Sequence, residues 1–283
     1  MRSPGGRQPV GTDGVVARPV AQLVRAGLQL GRRRVWEELE LQIRAGEFLA
    51  VIGPNGAGKT SLLRVLLGLS RLTSGTVEVL GRPPRRGDAA IGYVPQQRAF
   101  EPDLPLRGRD LVGLGVDGHR WGLALWGAER ARRVDAALEA VGAQAYAEAP
   151  VGRLSGGEQQ RLRIAQAIGG EPRLLLCDEP LSSLDVQHQA TIVRLVADLN
   201  RRRDMPVVFV THDINPLLGH VDRVLCIARG RCLVGPPQEV LTSEALSQLY
   251  QAPVEVLHVR GQIVVLGADM GGHHAAAAGG EAG

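Results

Sequence analysis

The hydrophobic and polar positions along the chain first predict strands. Over residues 39–43, apolar and polar residues alternate, which is typical of a strand with one buried face. Residues 48–52 are apolar without interruption, as expected of a strand that is buried on both faces. Residues 174–177 and 207–210 are two more runs of this kind. The three uninterrupted apolar runs therefore need other elements packed on both of their faces.

Longer segments between the strands carry the pattern of helices. They cover residues 59–69, 131–141, 156–168 and 192–199. Strands that alternate with helices predict an α/β fold, in which helices cover both faces of a mostly parallel sheet. Residues 98–157 carry no strand pattern, so we expect a mainly helical subdomain to be inserted there.

The two ends of the chain depart from this pattern. Residues 1–20 carry Pro, Gly and charge, which predicts a disordered leader without the apolar segment of a secretory signal. Residues 267–283 predict a flexible Gly/Ala tail. Its adjacent His273 and His274 could bind a metal loosely, but such pairs more often have no function.

The composition excludes several classes of protein. Only 3% of the 283 residues are aromatic, which argues against a nucleic-acid binder that stacks single-stranded bases. The net charge is +4, but the densest arginine runs, at 32–34 and 201–203, fit solvated faces, so we expect no nucleic-acid partner. No apolar run approaches the roughly 18 residues of a membrane span. Cys177, Cys226 and Cys232 lack metal-ligand spacing, and we expect reduced, mostly buried thiols.

One basic residue differs from all the others. Of the 33 Lys and Arg residues 32 are Arg, and the single lysine is Lys59. It lies in the run GPNGAGKT, between a buried strand and a helix, which matches the phosphate-binding pattern G-x-x-x-x-G-K-[ST]. Glycines there let backbone N–H groups point at phosphate oxygens, and a compact ammonium reaches the outer phosphates where a guanidinium is bulkier. The predicted nucleotide-binding residues are Gly53, Pro54, Asn55, Gly56, Ala57, Gly58, Lys59, Thr60 and Ser61.

A second buried strand ends in two acids, Asp178 and Glu179. The carboxyl end of that strand should lie beside the phosphate loop. Asp178 is placed to support Mg²⁺, which the hydroxyl of Thr60 can also ligate. Glu179 can face an attacking water and accept its proton. Together with Lys59, these residues predict hydrolysis of a nucleoside triphosphate.

The octet LSGGEQQR at residues 154–161 points to a family. By itself, Ser155 before a helix is an N-cap that contributes about 1 kcal/mol and starts an anion-binding helix. The whole octet resembles the signature of the ABC-type ATPases. Other family motifs follow in the family's order: YVPQ at 93–96 resembles the Q-loop, SLD at 183–185 the D-loop and VTHD at 210–213 the switch histidine.

This resemblance covers about residues 21–240 and implies a P-loop NTPase fold. The fold has a RecA-like parallel sheet, an N-terminal antiparallel β subdomain and an inserted α-helical subdomain at about 98–157. Residues 241–266 then form a short C-terminal extension, before the tail at 267–283.

The resemblance also implies roles at the matching positions. ATP is the implied substrate and Mg²⁺ the cofactor, which meets Thr60 and Gln96 with Asp178 behind them. The implied catalytic residues are Glu179 as general base, His212, which contacts the γ-phosphate and links it to Glu179, and Gln96.

In this family two ATPase domains enclose two ATP molecules head to tail, so the implied partner is a second copy or a paired ABC ATPase. The residues implied to face the other subunit's ATP are Leu154, Ser155, Gly156, Gly157, Glu158 and Gln159, with Asp185 in the D-loop. Further implied partners are integral membrane permease subunits and, indirectly, an extracytoplasmic substrate-binding protein. The implied location is the cytoplasmic face of the membrane.

Two positions depart from the family pattern. The aromatic residue that usually stacks on adenine is replaced at Leu30, which offers apolar contact only. Trp36 is near in sequence but resembles a residue that packs a sheet. Ser183 stands where alanine is commoner.

The cargo class rests on similarity alone. A single ATPase cassette without a membrane span fits an importer whose permease is a separate chain. Residues 104–112 and 211–225 resemble the zinc/manganese importer ATPases, which predicts a divalent metal ion. Two alternatives stay open: an iron-chelate or haem importer ATPase, and a soluble ABC ATPase that switches a complex without transport.

Overall fold

The computed structural model describes residues 18–96, 100–118 and 127–267. Most of the predicted leader and tail lies outside these ranges, as do residues 98, 99 and 119–126 of the predicted helical subdomain. In the described part of the chain, no helix is long and apolar enough to cross a membrane.

Strands and helices alternate along the chain. The strands are β1 (Ala21–Leu30), β2 (Arg33–Ile43), β3 (Phe48–Ile52), β4 (Ser74–Val79), β5 (Ile91–Val94), β6 (Leu174–Asp178), β7 (Val207–Val210), β8 (Arg223–Ala228), β9 (Arg231–Gly235), β10 (Val254–Val259) and β11 (Gln262–Gly267). The helices are α1 (Lys59–Leu66), α2 (Gly108–Asp117), α3 (Gly127–Val141), α4 (Gly156–Ile168), α5 (Val186–Arg203), α6 (Pro237–Val240) and α7 (Ser243–Tyr250).

The largest sheet has the strand order β5-β6-β7-β3-β8-β9. The first five strands in this order are parallel, and β9 is antiparallel to β8. Because β3 and β6 both run parallel to β7, which lies between them, the carboxyl ends of β3 and β6 lie at the same edge of the sheet. A second, antiparallel sheet has the order β2-β1-β4. This confirms the predicted α/β class, with a parallel core and an N-terminal antiparallel subdomain.

The two faces of the parallel sheet pack into separate cores. In β3, Phe48 and Ala50 face the core shared with α2, α3, α4 and α5. Leu49 and Val51 face the core shared with α1 and the antiparallel sheet. The uninterrupted apolar runs of the sequence thus reflect strands that are buried on both faces.

Some boundaries differ from the sequence prediction. Helix α1 ends at Leu66 rather than at 69, because Gly68 has a φ of 69° and the N–H of Leu69 turns back to the carbonyl of Arg64. Helix α5 extends well beyond the predicted 192–199, because Asp185 caps its start and accepts a bond from the N–H of His188.

The C-terminal extension has a structure that the pattern did not predict. It contains α7 and the antiparallel hairpin of β10 and β11, and Gly267, assigned to the tail, ends β11. Cys177 and Cys226 are buried and Cys232 is half-buried, all with free thiols, which confirms the expectation for the cysteines.

Candidate functional site

The predicted phosphate loop connects β3 to α1. Gly53 and Gly58 have φ angles of 147° and 104°, which only glycine adopts readily. A side chain at Gly53 would collide with the carbonyl oxygen of Ile227, and one at Gly58 with Val35. Inside the loop, the N–H of Ala57 donates to the carbonyl of Pro54 at 3.1 Å. The loop conformation therefore requires these glycines.

Lys59 begins α1 and is buried, with 5% of its surface exposed. Its Nζ donates to the carbonyl oxygens of Gly53 at 2.8 Å and Pro54 at 3.2 Å, and lies 3.9 Å from Oε1 of Glu179. Burial lowers the pKa of the Lys59 ammonium, while the negative charges of Glu179 and Asp178 oppose that shift. A compact cation is thus held inside the phosphate loop.

Asp178 ends β6 with both carboxylate oxygens bonded to hydroxyl groups. Thr60 Oγ1 donates to Oδ1 at 3.0 Å, and the hydroxyl of Tyr93 donates to Oδ2 at 3.3 Å. Burial raises the pKa of the Asp178 carboxyl, whereas the hydrogen bonds from Thr60 and Tyr93 lower it and only partly offset the effect of burial. Burial, followed by the neighbouring Asp178, raises the pKa of Tyr93 to about 12. Sequence reasoning gave Tyr93 no role of its own.

Glu179 follows in a left-handed conformation, with a φ of 47°. Its carbonyl accepts the N–H of Ser182 at 3.1 Å, which fixes the tight turn after β6. Its Oε2 accepts a bond from Nε2 of Gln96 at 3.0 Å. Non-glycine residues in this conformation cluster at functional sites, where the surrounding structure imposes the strain.

His212 lies two residues beyond β7, and its side chain is exposed. Thr211 Oγ1 donates to the carbonyl of Asp213 at 2.9 Å and fixes the segment next to it. In the part of the chain that the structure describes, no hydrogen bond joins His212 to Glu179. The predicted link between them stays a prediction.

The signature segment begins α4. Ser155 is its N-cap and shares a capping box with Glu158, in which the Ser155 hydroxyl and N–H both donate to Glu158 Oε2, at 2.7 Å and 2.8 Å. Nε2 of Gln159 donates to the carbonyl of Leu154 at 3.0 Å. Ser155 and Gly156 are exposed while Gly157 is buried. The start of α4 is therefore held by hydrogen bonds within its own segment, and its first residues are exposed to solvent.

Asp185 connects the D-loop to this segment. Its carboxylate accepts the N–H of His188 at 2.9 Å and lies 2.7 Å from Nδ1 of the same residue. The His188 ring is so close to Gly157 that a β-carbon there would lie 2.6 Å from its Cδ2. The D-loop and the signature of one chain are thus packed together through His188.

A cleft of about 250 Å³ runs along the phosphate loop. It is lined by Leu30, Arg33, Val35, Asn55, Gly56, Gly58, Lys59, Thr60, Ser61 and Glu179. Trp36 is completely buried, as its sequence context suggested. Arg33 is exposed, as expected of a solvated face, and its Nη2 also donates to the carbonyl of Gly56 at 2.6 Å. No sequence motif distinguishes it from its arginine neighbours.

The structure therefore connects one group of predicted residues directly. Lys59 contacts Glu179, Glu179 contacts Gln96, and Thr60 contacts Asp178. The phosphate loop thus lies beside the Lys59 ammonium, the oxygens of Thr60 and Asp178, and Glu179 in its strained conformation. This arrangement is suited to hydrolysis of a phosphoanhydride. The contacts of the Ser155 side chain, by contrast, stay within its own helix.

The chain is similar to known proteins over most of its length. The model of the ABC transporter family matches residues 36–182. The manganese transport system ATP-binding protein MntB of Halalkalibacterium halodurans is 32% identical over 88% of this chain and 98% of its own length. The zinc import ATP-binding protein ZnuC of Saccharophagus degradans is 36% identical over 80% of this chain and 82% of its own length.

Two solved structures have the same fold. A metal-chelate type ABC transporter in an inward-facing conformation matches with a TM-score of 0.75 and 28% identity, over 89% of this chain and 97% of the other. A dimeric ATP-binding cassette in a post-hydrolysis state with ADP and Pi matches with a TM-score of 0.64 and 27% identity, over 76% and 98%. These matches confirm the P-loop NTPase fold, and the chain belongs to the ABC transporter family as an ATP-binding subunit and an ATPase.

Proposed function

We propose that this chain is the energy-coupling subunit of an importer for a divalent metal ion of the zinc or manganese type. It hydrolyses ATP beneath a separate membrane permease, which receives its cargo from an extracytoplasmic binding protein. The observation that carries the cargo class is similarity at 32% and 36% identity, over most of both chains, to subunits named for manganese transport and zinc import.

The residues around Asp178 fit a magnesium ion. Thr60 Oγ1 and Asp178 Oδ1 lie 3.0 Å apart, and hydroxyl and carboxylate oxygens are the ligands that Mg²⁺ prefers. Thr60 and Gln96 would hold the ion, with Asp178 behind them. Bound there with ATP, it would neutralise charge on the phosphate oxygens.

We assign the steps of hydrolysis to residues of the phosphate loop and of the neighbouring strand ends. Lys59 and the loop N–H groups hold the phosphates, and Glu179 orients a water and takes its proton as the water oxygen attacks the γ-phosphorus. The bond from Gln96 keeps the Glu179 carboxylate in place. His212, exposed at the same sheet edge, contacts the γ-phosphate when ATP is bound.

A second subunit completes the site. We assign Ser155 and Gly157 to the γ-phosphate of ATP in the partner, because the Ser155 cap is exposed and a helix start binds anions. ATP then contacts both chains only in the closed dimer, so it favours closure, and hydrolysis allows opening. The dimer is a homodimer or a pair with another ABC ATPase.

The metal content of cells tests the cargo. We expect a strain that lacks this chain to lose zinc or manganese when that metal is scarce, with iron unchanged. The wild-type gene should restore the content, whereas an isosteric Glu179→Gln gene should not. The latter control separates ATP hydrolysis from mere presence of the subunit.

The similarity to a metal-chelate type transporter supports a second candidate, an ATPase for chelated metal. Loss of iron, with zinc and manganese unchanged, would favour that candidate. Unchanged metal contents, together with failure to co-purify a polytopic membrane protein, would instead favour an ATPase that switches a soluble complex.

A further inference from the structure

A histidine that belongs to no sequence motif lies between the D-loop and the signature segment. His188 is the third residue of α5, which Asp185 of the D-loop caps. Oδ1 of Asp185 accepts the backbone N–H of His188 at 2.9 Å, and Oδ2 lies 2.7 Å from Nδ1 of the His188 ring. These two contacts, the backbone bond first, hold the pKa of Asp185 below its usual range. An ionised carboxylate only accepts hydrogen bonds, so Nδ1 carries the proton, and one acid fixes both the backbone and the ring of His188.

The ring of His188 lies against the start of α4. A β-carbon at Gly157 would lie 2.6 Å from Cδ2 of His188 and 3.4 Å from Nε2, so the edge of the ring occupies the place of a side chain. Gly157 is buried, whereas 55% of the His188 side chain is exposed. The ring therefore sets how closely the backbone of Gly157 can approach α5.

The backbone of Gly157 has a part in the proposed function, on which this inference rests. Gly157 is the second residue of α4, where backbone N–H groups have no partner within the helix. Together with Ser155, it is assigned to the γ-phosphate of the partner's ATP. The capping box with Glu158 holds the Ser155 side of this segment, and the ring of His188 supports the Gly157 side. A binding group of this kind must be placed to within about 0.5 Å.

We propose that His188 is a positioning residue for the ATP of the partner subunit. It ties the start of α4 to the D-loop, so that the N–H of Gly157 is held where the partner's γ-phosphate arrives when the dimer closes. His188 is not among the residues that line the nucleotide cleft of its own chain. Loss of its side chain should therefore impair the steps that need the dimer and spare the affinity of one chain for ATP.

Turnover and ATP-driven dimerisation of the purified protein test this role. His188→Ala should lower kcat roughly tenfold, as expected for a misplaced binding group, and keep the Kd for ATP within about twofold. In a Glu179→Gln background, light scattering should show that the same change raises the protein concentration needed for the ATP-bound dimer. The backbone cap of α5 remains in this variant, so unfolding by urea should change little. Gln187→Ala, at the exposed neighbouring position, is the matched control and should leave all four measurements unchanged.

A rescue experiment distinguishes this contact from a merely structural role. Gly157→Ala places a methyl group where the ring of His188 lies, so it should lower kcat by about 10²-fold. Adding His188→Ala removes the overlap and should raise kcat of the double variant to the level of His188→Ala alone. If the methyl group instead obstructs the partner's ATP, removal of the ring rescues nothing, and that result would overturn the proposal.

Wild-type kcat and dimerisation in His188→Ala would overturn it as well. Ser155→Arg distinguishes that failure from a failure of the proposed dimer. Loss of hydrolysis in Ser155→Arg, with wild-type behaviour in His188→Ala, would refute the role of His188 alone. Wild-type turnover in both variants would refute the head-to-tail site itself.

Discussion

The phosphate loop and the signature segment at the start of α4 differ in how deeply their polar groups are buried and in which residues these groups contact. Lys59 and Asp178 are 5% and 2% exposed, and contacts at or below 3.9 Å connect the loop to Glu179 and to the end of β6. Ser155 is exposed, and its hydroxyl bonds to Glu158 of its own helix. One region is preorganised inside the fold, and the other presents its polar groups outward.

This difference indicates a division of labour. A buried, bonded site can bind a nucleotide within one chain, because its groups are already desolvated and oriented. An exposed helix start does little for a ligand of its own chain, but it can meet a phosphate that a second chain presents. Variants in the first region should therefore impair binding or chemistry, and variants in the second should impair only what requires the dimer.

Glu179→Gln should have the largest effect. It removes the proton acceptor and keeps the shape, so turnover should fall by about 10²- to 10⁴-fold while ATP binding persists. Light scattering with ATP should then show an accumulated dimer. Glu78→Gln, an isosteric change on the exposed face of β4, is the control and should leave turnover unchanged. Wild-type turnover in Glu179→Gln would remove the general-base assignment.

Ser155→Arg should abolish hydrolysis, with a loss of at least about 10²-fold, yet keep ATP affinity within about twofold. The arginine occupies the surface that meets the partner's nucleotide, and the lost cap also costs about 1 kcal/mol of stability. A nucleotide titration checks the retained ATP affinity, and steady-state kinetics check the loss of hydrolysis.

Thr242→Ala is the control for that stability loss. Thr242 caps α7 by accepting the N–H of Ala245 at 3.2 Å, away from the site, so its loss should lower stability and spare turnover. A Ser155→Arg enzyme that turns over as a monomer at the wild-type rate would contradict the head-to-tail dimer.

The sequence predicted those parts of the molecule in which a local residue pattern corresponds to a single kind of burial or backbone conformation. Buried parallel strands appear as unbroken apolar runs, and the phosphate loop needs glycines at fixed positions. The hairpin of β10 and β11 was not predicted, because its apolar residues do not mark a single face. Leu257, Val259 and Leu266 are 37%, 49% and 47% exposed. Period-two alternation is lost in such a strand pair.

Two residues of the site could not be predicted from local sequence. Tyr93 reaches Asp178 because β5 and β6 pair in a register that places Tyr93 opposite Leu176. Arg33 reaches Gly56 because β1 and β2 turn back beside the phosphate loop. Both contacts depend on tertiary register, which neither spacing nor composition encodes.

Lys59→Arg tests whether the preorganised site needs its ammonium. The Nζ of Lys59 donates to carbonyl oxygens at 2.8 Å and 3.2 Å, and a guanidinium is larger and planar, so it would have to shift the loop to enter the same space. We expect nucleotide affinity to fall by roughly tenfold, close to one charge-assisted hydrogen bond. Arg64→Lys, at an exposed position of α1, serves as control. Near-normal affinity in Lys59→Arg would mean that any cation suffices.

Asn215→Ala should have the smallest effect, because Asn215 supports the site from a distance. Its side chain donates to the carbonyl of Ile263 at 3.0 Å and accepts the N–H of Ile263 at 2.7 Å, which ties the C-terminal hairpin to the segment that follows His212. Losing these bonds should cost about 1–3 kcal/mol in the free energy of unfolding by urea. With the segment less fixed, kcat should fall a few-fold while KM changes little.

Ser243→Ala separates the stability of the hairpin from the position of His212. Ser243 anchors the same hairpin from α7, where its Oγ accepts the N–H of Val256 at 2.9 Å. We expect this variant to lose stability without losing kcat. Equal kcat losses in Asn215→Ala and Ser243→Ala would assign the effect to the hairpin as a whole, and equal retention would show that the segment after β7 holds its histidine unaided. A selective loss in Asn215→Ala would extend the preorganised region from the phosphate loop to the C-terminal extension.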